Sequence, residues 1–198
     1  MSSSWRWFCF SLPVLLLCLA WPQTLEAFAP DKGMFLVATE GLADPRFHEG
    51  VILLIQHDAQ GSAGLVVNRT SRLALAQVLL EDSKLVGQGA TLSYGGPVEP
   101  QTLLALVKVR NDPPEPADEV LGGLYVTGVD VLEEWPEFAG GVVACRAFVG
   151  YTGWAPGQLE LEIQRGDWRV LPGDEQSVFT GDGVLLWERL NKTLAEQK

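Results

Sequence analysis

The chain has 198 residues, with 14 lysines and arginines against 25 aspartates and glutamates, which gives a net charge of −11. This length suits one domain with a sizeable core. The basic residues are scattered singly or in pairs, whereas binding of duplex DNA depends on a basic face that neutralises phosphates. The composition therefore argues against nucleic-acid binding, and the acidic charge favours solubility or repulsion of anionic surfaces.

The first 27 residues have the layout of a secretory signal peptide. Arg6 gives a positive start, residues 8–20 form an apolar run, and Ala27 is the small residue that a signal peptidase requires. A retained membrane anchor is the competing interpretation. The run is shorter than the roughly 20 residues of a membrane-spanning helix, and Pro13 interrupts it, which both favour the cleaved signal peptide. We predict cleavage after Ala27, a single domain over residues 28–198 with no membrane span, and a periplasmic or secreted protein.

Cleavage at this point would change the cysteine content but not the charge. Cys9 and Cys18 would be lost, which leaves Cys145 in the mature chain. A single cysteine excludes an internal disulfide and a multi-cysteine metal site. Because Cys145 lies in an apolar run, we interpret it as a small core residue, with a reactive thiol as the alternative.

Seven segments rich in branched apolar residues and bounded by Gly, Asp or Pro are predicted to form strands. In chain order they are residues 35–39, 51–57, 64–68, 91–94, 103–109, 124–127 and 142–149. Residues 58–62 predict a hairpin turn between the second and third strands. The proline-rich residues 111–118 predict an exposed loop within the domain.

Helices are predicted between and after these strands, at residues 73–81, 131–138 and 184–194. Ser71 and Asp130 precede the first two and are suited to cap them. Strands that mostly follow one another, with helices interspersed, predict an α+β fold rather than a doubly wound sheet.

The segment from Gly150 to Glu162 carries the most informative pattern. Its first eight residues contain three glycines, one proline and two large aromatic residues. Glycine permits backbone conformations that other residues avoid, and proline suits the first turn of a helix. We predict a strand that ends near Gly150, a tight aromatic corner, and a helix that begins at Pro156. Residues 159–163 also alternate as in a strand, but Pro156 before them and Gly166 after them favour the helix.

This segment, GYTGWAPGQLE in residues 150–160, resembles the signature GYAGWGPGQLE of the YqgE/AlgH family. Other blocks of that family occur in the same order. They are residues 33–38 (GMFLVA), 57–61 (HD and a glycine), 64–69 (GLVVNR), 95–98 (GGPV) and 130–132 (DVL). Because the blocks cover roughly residues 32–190, the chain is identified as a member of that family.

The resemblance implies a fold and suggests a role. Members of the family have a single α+β domain in which a bent, mixed sheet forms a partly open barrel surrounded by helices. They are typically cytosolic, whereas this chain begins with a predicted signal peptide. Members have been linked to transcriptional regulation of exopolysaccharide synthesis, so the resemblance implies a transcriptional regulator as one alternative.

Common motifs of catalytic and cofactor sites are absent from the sequence. It contains no Walker A loop, HExxH pair, GxSxG elbow or GxGxxG fingerprint. The chain has two histidines, His48 and His57, so a histidine-based metal site would need carboxylates to complete it. Glu160 and Glu162 lie about 200° apart on a helix and form no facing two-carboxylate pair. We predict no cofactor, no metal and no catalytic residue.

Six residues within the family blocks are candidates for binding a ligand. They are His57, Asn68, Arg69, Tyr151, Trp154 and Gln158. Asn68 and Arg69 offer amide and guanidinium donors to an anionic group, and Tyr151 and Trp154 are suited to line a pocket. Structural alternatives are a local hydrogen bond for His57, a strand end and an ion pair for Asn68 and Arg69, and a packed corner for the aromatic residues.

The family blocks are dominated by residues that build shape and contain few titratable groups. This favours a non-enzymatic module that binds an unknown small molecule or protein. One alternative is a hydrolase with His57 as general base and Arg69 as an electrostatic clamp. The other is the transcriptional regulator that the family resemblance implies.

Overall fold

The structure is a computed structural model, and it describes residues 28–69, 71, 74–79, 83–87, 90–180 and 183–196. The predicted signal peptide, residues 1–27, lies outside the described residues. Within the described part, no helix has the length and apolar character needed to cross a membrane.

Nine strands form one sheet at the centre of the domain. They are β1 (Met34–Ala38), β2 (Val51–Asp58), β3 (Gly61–Val66), β4 (Thr91–Tyr94), β5 (Val98–Val109), β6 (Asp118–Leu121), β7 (Leu124–Gly128), β8 (Val142–Trp154) and β9 (Trp168–Pro172). Their order is β6-β7-β5-β8-β3-β2-β1-β9, with β4 also beside β8. The β4–β8 pair is parallel and the other pairs are antiparallel.

Short helices cover the sheet. They are α1 (Lys84–Gly87), α2 (Val129–Glu134), α3 (Phe138–Gly141), α4 (Gln158–Arg165), α5 (Glu175–Thr180) and α6 (Val184–Glu196). Turns of 3-10 helix lie at Pro45–Phe47 and Leu75–Gln77. The first of these turns and α4 lie beside the candidate site described below.

Strand β8 belongs to both halves of the sheet because it bends in its middle. Its first part pairs with β4 and β5, and residues 152–154 pair with β3. The bend lies at Gly150, whose φ of 66° favours glycine. A Cβ atom on Gly150 would lie 2.4 Å from the Gly96 carbonyl oxygen. The glycines of the GGPV and GY blocks therefore let two chain segments cross at close contact.

Three apolar clusters hold these layers together. The central cluster joins both halves of the sheet to α5 and α6, with Phe35, Leu53, Leu65, Leu106, Phe148, Val178 and Leu186 among its members. A second cluster lies on the other face of β1–β3 under α4, with Leu36, Ile52, Leu54, Val66 and Leu159. A third lies under α2 and α3, with Ala105, Val107, Ala147, Leu132 and Phe138. The alternation of side chains along each strand places its residues in two of these clusters.

Two titratable side chains lie close to these clusters on β8. Arg146 is buried and donates hydrogen bonds to the Ser93 hydroxyl (2.8 Å) and to the Val178 carbonyl (2.6 Å) in α5. Burial lowers the pKa of Arg146 to about 10, which leaves it charged at neutral pH. Cys145 packs against the third cluster, and burial raises the pKa of its thiol to about 12. This environment agrees with a core role for Cys145 rather than a reactive thiol.

The fold is α+β in a single domain, as predicted. The sheet does not close into a barrel, so the expected partly open barrel describes it only loosely. The pairing path of the described strands ends at β6 and β9, and these two strands are not paired with each other. The sheet is bent by Gly150 and remains open.

Two predictions around the aromatic segment needed different corrections. The strand predicted to end near Gly150 continues to Trp154, because the glycine bends β8 and β3 then pairs with the bent part. The preferred helix over residues 159–163 is confirmed. It begins at Gln158 rather than Pro156, because Gly157 takes the N-cap position with φ of 76°.

Two predicted helices were too long. Within residues 73–81, the described residues form one 3-10 turn at Leu75–Gln77. The predicted helix 131–138 is divided into α2 and α3. Pro136 explains the division, since a residue before proline avoids the helical region and Trp135 has ψ of 119°. Asp130 lies in the first turn of α2, and Gly128 is the N-cap.

The remaining sequence-based assignments agree with the structure, but several elements were not predicted. The hairpin turn, the proline-rich loop and the last helix are confirmed. The unpredicted elements are β6, β9, α1, α5 and the turn at Pro45–Phe47. These are short, which leaves little room for a periodic pattern in the sequence.

Candidate functional site

A cleft of about 390 Å³ opens between the 42–47 loop, the end of β8 and helix α4. Its walls contain five charged, two neutral polar and three aromatic side chains, with aliphatic residues and glycine between them. The lining residues are Leu42, Ala43, Asp44, Arg46, Phe47, Pro97, Val98, Thr152, Gly153, Trp154, Gln158, Glu162, Arg165, Asp167 and Trp168. The cleft thus brings together the GGPV block, the aromatic segment and the start of β9.

Glu162 links three side chains of the cleft wall. One carboxylate oxygen, Oε2, accepts hydrogen bonds from the indole nitrogens of Trp154 (2.9 Å) and Trp168 (2.8 Å). The other oxygen, Oε1, accepts one from the Gln158 amide at 3.0 Å. The two indole rings meet edge to face, with centroids 6.2 Å apart. These contacts fix the carboxylate in the wall, and Oε1 retains capacity for another donor.

Two ion pairs flank Glu162 at the mouth of the cleft. Asp44 pairs with Arg46 at 2.6 Å, and this contact lowers the pKa of Asp44 and raises that of Arg46. Asp167 pairs with Arg165, whose pKa it raises. With three carboxylates and two guanidinium groups among the charged lining residues, the cleft carries one net negative charge.

Asn68 and Arg69 bond to the backbone of the segment that forms one wall of the cleft. The Asn68 amide accepts a hydrogen bond from the Val51 N–H (2.9 Å) and donates to the Glu49 carbonyl (2.7 Å). Arg69 donates to the backbone carbonyls of Arg46 and His48. The NR pair of the GLVVNR block therefore positions the loop that carries Arg46 into the cleft. The predicted ion pair of Arg69 is replaced by these carbonyl contacts.

A second groove of about 420 Å³ continues from the first on the other side of Trp154. It shares Val98, Gly153 and Trp154 with the cleft and adds Gln56, Gln60, Gly61, Ser62, Ala63 and Tyr151. The Tyr151 hydroxyl lies 3.3 Å from the Glu99 carboxylate. Burial and the Glu99 charge raise the pKa of Tyr151, so its hydroxyl remains a donor at neutral pH.

His57 lies near this second groove but faces elsewhere. Its Nδ1 is 2.8 Å from the Ser62 hydroxyl, and its Nε2 is 3.6 Å from the Glu160 carboxylate on α4. Its ring lines a separate hollow with Asp58 and Asp118. The Asp58 carboxylate accepts the Gln60 N–H, which shapes the hairpin turn.

The structure separates His57 from Arg69. Ser62 lies opposite His57 at the turn of the β2–β3 hairpin, whereas Val66 lies four residues further along β3. Four steps along a strand cover about 13 Å, and Arg69 follows three residues later. The pair that the hydrolase alternative requires is therefore not assembled, since direct proton transfer needs heavy atoms within about 3 Å.

Of the six candidate residues, three line the joined grooves: Tyr151, Trp154 and Gln158. The sequence analysis did not propose the other charged and aromatic residues of the cleft, namely Asp44, Arg46, Phe47, Glu162, Arg165, Asp167 and Trp168. One signal for Glu162 was present, because Gln158 and Glu162 are four residues apart and share a helix face. The 42–47 loop and β9 had no comparable signal.

Fold and cleft together define a small α+β domain with a bent, open sheet and a polar, aromatic cleft beside α4. No cluster of potential metal ligands occurs among the residues that the structure describes. The model of the AlgH-like family, a domain of unknown function, matches residues 35–198. The chain therefore belongs to the AlgH-like family, which confirms the resemblance seen in the sequence.

Relatives agree with this assignment. A UPF0301 protein of Streptomyces coelicolor is 41% identical over 157 residues, which cover 74% of this chain and 79% of the relative. One of Mycobacteroides abscessus is 36% identical, over 80% of this chain and 77% of the relative. The solution structure of the AlgH protein from Pseudomonas aeruginosa has a TM-score of 0.66 at 31% identity, and covers 86% of this chain and 92% of that one. A crystal structure from Corynebacterium diphtheriae has a TM-score of 0.71 at 27% identity, with 84% and 88% covered.

Proposed function

We propose that this chain is a non-enzymatic binding module that works outside the cytoplasm and takes its ligand in the cleft beside α4. The observation that carries the proposal is Glu162, which three N–H donors fix in the wall of a cleft of about 390 Å³. A carboxylate held in this way costs little further ordering when a ligand donor binds to it.

The composition of the cleft supports binding rather than catalysis. The described residues of its lining include no histidine, cysteine, serine or lysine, which are common general bases and nucleophiles. The one hydroxyl, on Thr152, donates to the Gly64 carbonyl at 2.8 Å. Asp44 and Asp167 are already paired with arginines. What the cleft offers a ligand is shape, aromatic surface and fixed hydrogen-bonding groups.

Ligand binding can be tested by thermal shift with fractionated cell-envelope extract and a metabolite panel. The cleft variant is Gly153→Leu, because a Cβ atom at Gly153 makes ordinary contacts of 3.6 Å with Tyr151 and 3.8 Å with Val98. The control is Gly140→Leu in α3, where an added Cβ meets no atom within 4 Å. A ligand at 100 times its Kd adds about 2.7 kcal/mol of stability, or roughly 5–11 °C for a domain of this size.

We expect the wild-type protein and the Gly140→Leu variant to share this shift and the Gly153→Leu variant to lose most of it. If no fraction shifts the melting temperature of the wild-type protein, or if the two variants respond alike, the binding proposal is wrong.

Export rests on the first 27 residues, which precede the region matched by the family. N-terminal sequencing of the protein from a fractionated native host tests it directly. We expect the mature chain to begin at Phe28 in an extracytoplasmic fraction. Recovery from the cytosol with Met1 intact would contradict export and return the transcriptional-regulator alternative to consideration.

A further inference from the structure

The last residues of β8 use only one of their two edges for pairing. Thr152 lies opposite Gly64, and Trp154 lies opposite Ser62. At the end of β3, Val66 donates its N–H to the Gly95 carbonyl, and Gly95 in turn donates to Val149 on β8. Val67, the residue after β3, donates its N–H to Val51 on β2. Successive residues of a strand direct their N–H and C=O groups to opposite edges. The N–H and C=O groups of Gly64 and Ser62 therefore point toward β8, as those of Val66 do. The backbone N–H and C=O groups of their partners, Thr152 and Trp154, point toward β3. Those of the intervening Gly153 point to the opposite edge of β8.

That opposite edge lacks a paired strand beyond Tyr151 in the described part of the chain. Strand β5 pairs with β8 at Val98 and Tyr151, and this is the last pair of their register. The next position along β8 on this edge is Gly153, which is exposed to solvent. Before Val98 stands Pro97, which has no backbone N–H to offer. A short stretch of strand edge is therefore open, and such edges can pair with an incoming strand.

The open edge lies where the two grooves meet. Gly153 lines both the cleft of about 390 Å³ and the second groove of about 420 Å³. Side chains of an extended strand alternate between its two faces. A strand that paired with Gly153 would therefore have side chains available to both grooves.

The charges of this region favour a basic occupant. The cleft has one net negative charge. Among the described residues, Oε1 of Glu162 accepts a hydrogen bond from the Gln158 amide alone. The second groove is lined by neutral polar groups such as Gln56 and Gln60. The whole chain carries −11, which attracts a basic partner at long range and repels a second copy of itself.

We propose that an extended, basic segment of another polypeptide binds here as an added strand at Gly153, with a lysine or arginine side chain in the cleft near Glu162. This proposal rests on the proposed function and names its partner class. Main-chain hydrogen bonds to Gly153 supply affinity, and the two grooves supply side-chain specificity, as in other cases of strand addition.

The first test uses fluorescent eight-residue peptides of β-forming sequence with lysine or arginine at alternate positions, and a matched set with glutamate. Anisotropy with the purified protein should show binding of the basic set, with the acidic set weaker by about tenfold or more. The Glu162→Gln variant should lose about tenfold in affinity for the basic set. The matched control, Glu160→Gln on the same helix, should bind like the wild-type protein.

The second test concerns the backbone. Gly153→Pro removes the N–H at the open edge, where proline is tolerated, whereas Gly153→Ala keeps it. We expect the proline variant to bind about tenfold more weakly than the alanine variant, since the two differ in the backbone N–H at this position. Single N-methylation along the peptide provides a measurement on the unaltered protein. Positions whose N–H faces Gly153 should lose affinity and their neighbours should not, in alternation. Equal loss at all positions, or at none, overturns strand addition even if the proline variant fails to fold.

The outcomes separate this proposal from the one on which it rests. If extract shifts the melting temperature through the cleft but no basic peptide binds, the protein is a binding module for another ligand and the peptide proposal is wrong. If no probe of either kind binds, both proposals fail. Concentration-dependent dimerisation that Gly153→Pro abolishes would replace the basic segment with a second copy of this chain.

Discussion

The Asn68–Arg69 pair and Gly153 both belong to blocks that identify the family, but they contribute to the cleft differently. The Asn68 side chain is 6% exposed, and its amide bonds to Val51 and Glu49 within the chain. The Arg69 guanidinium donates hydrogen bonds to two backbone carbonyls, those of Arg46 and His48. Gly153 and Glu162, by contrast, line the cleft itself.

The difference shows that a family block can build a site without contacting what binds there. Residues such as Asn68 and Arg69, which hold the wall, should affect ligand binding only through the stability and position of the 42–47 loop and the residues that follow it. Residues that line the cleft should affect binding with little change in stability. Variants of the wall residues and of the cleft residues can therefore be compared by both ligand affinity and folding stability. The following predictions test whether the two groups differ in these measurements.

The largest effect is expected from two glycines of the same block. Gly150→Ala places a Cβ atom 2.4 Å from the Gly96 carbonyl oxygen at φ of 66°. The left-handed conformation costs about 1–2 kcal/mol and overpacking about 1–3 kcal/mol, so we expect a loss of about 3 kcal/mol in the free energy of unfolding. Gly153→Ala should change it by less than about 0.5 kcal/mol, since its Cβ meets only ordinary contacts. Urea denaturation measures both, and equal losses would contradict the division of this block into a structural and a cleft part.

Asn68→Ala is the next largest perturbation. It leaves the buried Val51 N–H without its acceptor and removes a donor from the part-buried Glu49 and Gly183 carbonyls, and an unsatisfied buried group costs about 1–3 kcal/mol. We expect a total loss of about 2–3 kcal/mol, with weaker ligand binding as a secondary consequence of the loosened loop. Asn111→Ala removes an exposed amide from the proline-rich loop, away from both grooves, and serves as the control. An Asn68→Ala protein of wild-type stability would show that the wall does not depend on this side chain.

The sequence predicted the strands well because their runs of apolar residues reflect burial on both faces of the sheet, as in Val51–Leu54, which are all buried. It predicted Trp154 and Gln158 at the site because a motif marked them. It failed where structure depends on distant partners. The bend at Gly150 continues β8 because β3 lies ready to pair with the bent part, and no local pattern shows that.

The same limitation explains the missing half of the site. Arg46 enters the cleft because Arg69, 23 residues away in the chain, holds its carbonyl. Trp168 lies in the cleft because β9 pairs with β1, at the far edge of the sheet. Such placements follow from topology rather than from residue spacing, so Asn68 and Arg69 resembled ligand-binding residues when considered alone.

Glu162→Gln should sharpen the comparison from the cleft side. The glutamine oxygen can still accept from the two indoles, but its amide nitrogen would face the Gln158 amide, which also donates. Hydrogen bonds to a charged group contribute about 1 kcal/mol more than those to a neutral one, so we expect a loss of about 1 kcal/mol in stability. Glu160→Gln, which disturbs only the 3.6 Å contact with His57, should change stability less. A larger stability loss than that of Asn68→Ala would place Glu162 among the structural residues.

The smallest effect is expected at the mouth of the cleft, where Asp44 pairs with the exposed side chain of Arg46. The hydrogen bonds from Arg46 hold the pKa of Asp44 below its ordinary value of 3.8. A carboxyl whose pKa is lower in the folded state stabilises that state above its unfolded pKa, and this contribution disappears as pH falls through the folded value. The melting temperature of Asp44→Asn should therefore lie about 1 °C or less below that of the wild-type protein at pH 7, and the difference should vanish near pH 2. Differential scanning calorimetry of both proteins at matched low ionic strength measures it, with 1 M salt as the screening control. A difference that grows as the pH falls would mean that Asp44 is stabilised in its protonated form, contrary to its pairing with Arg46.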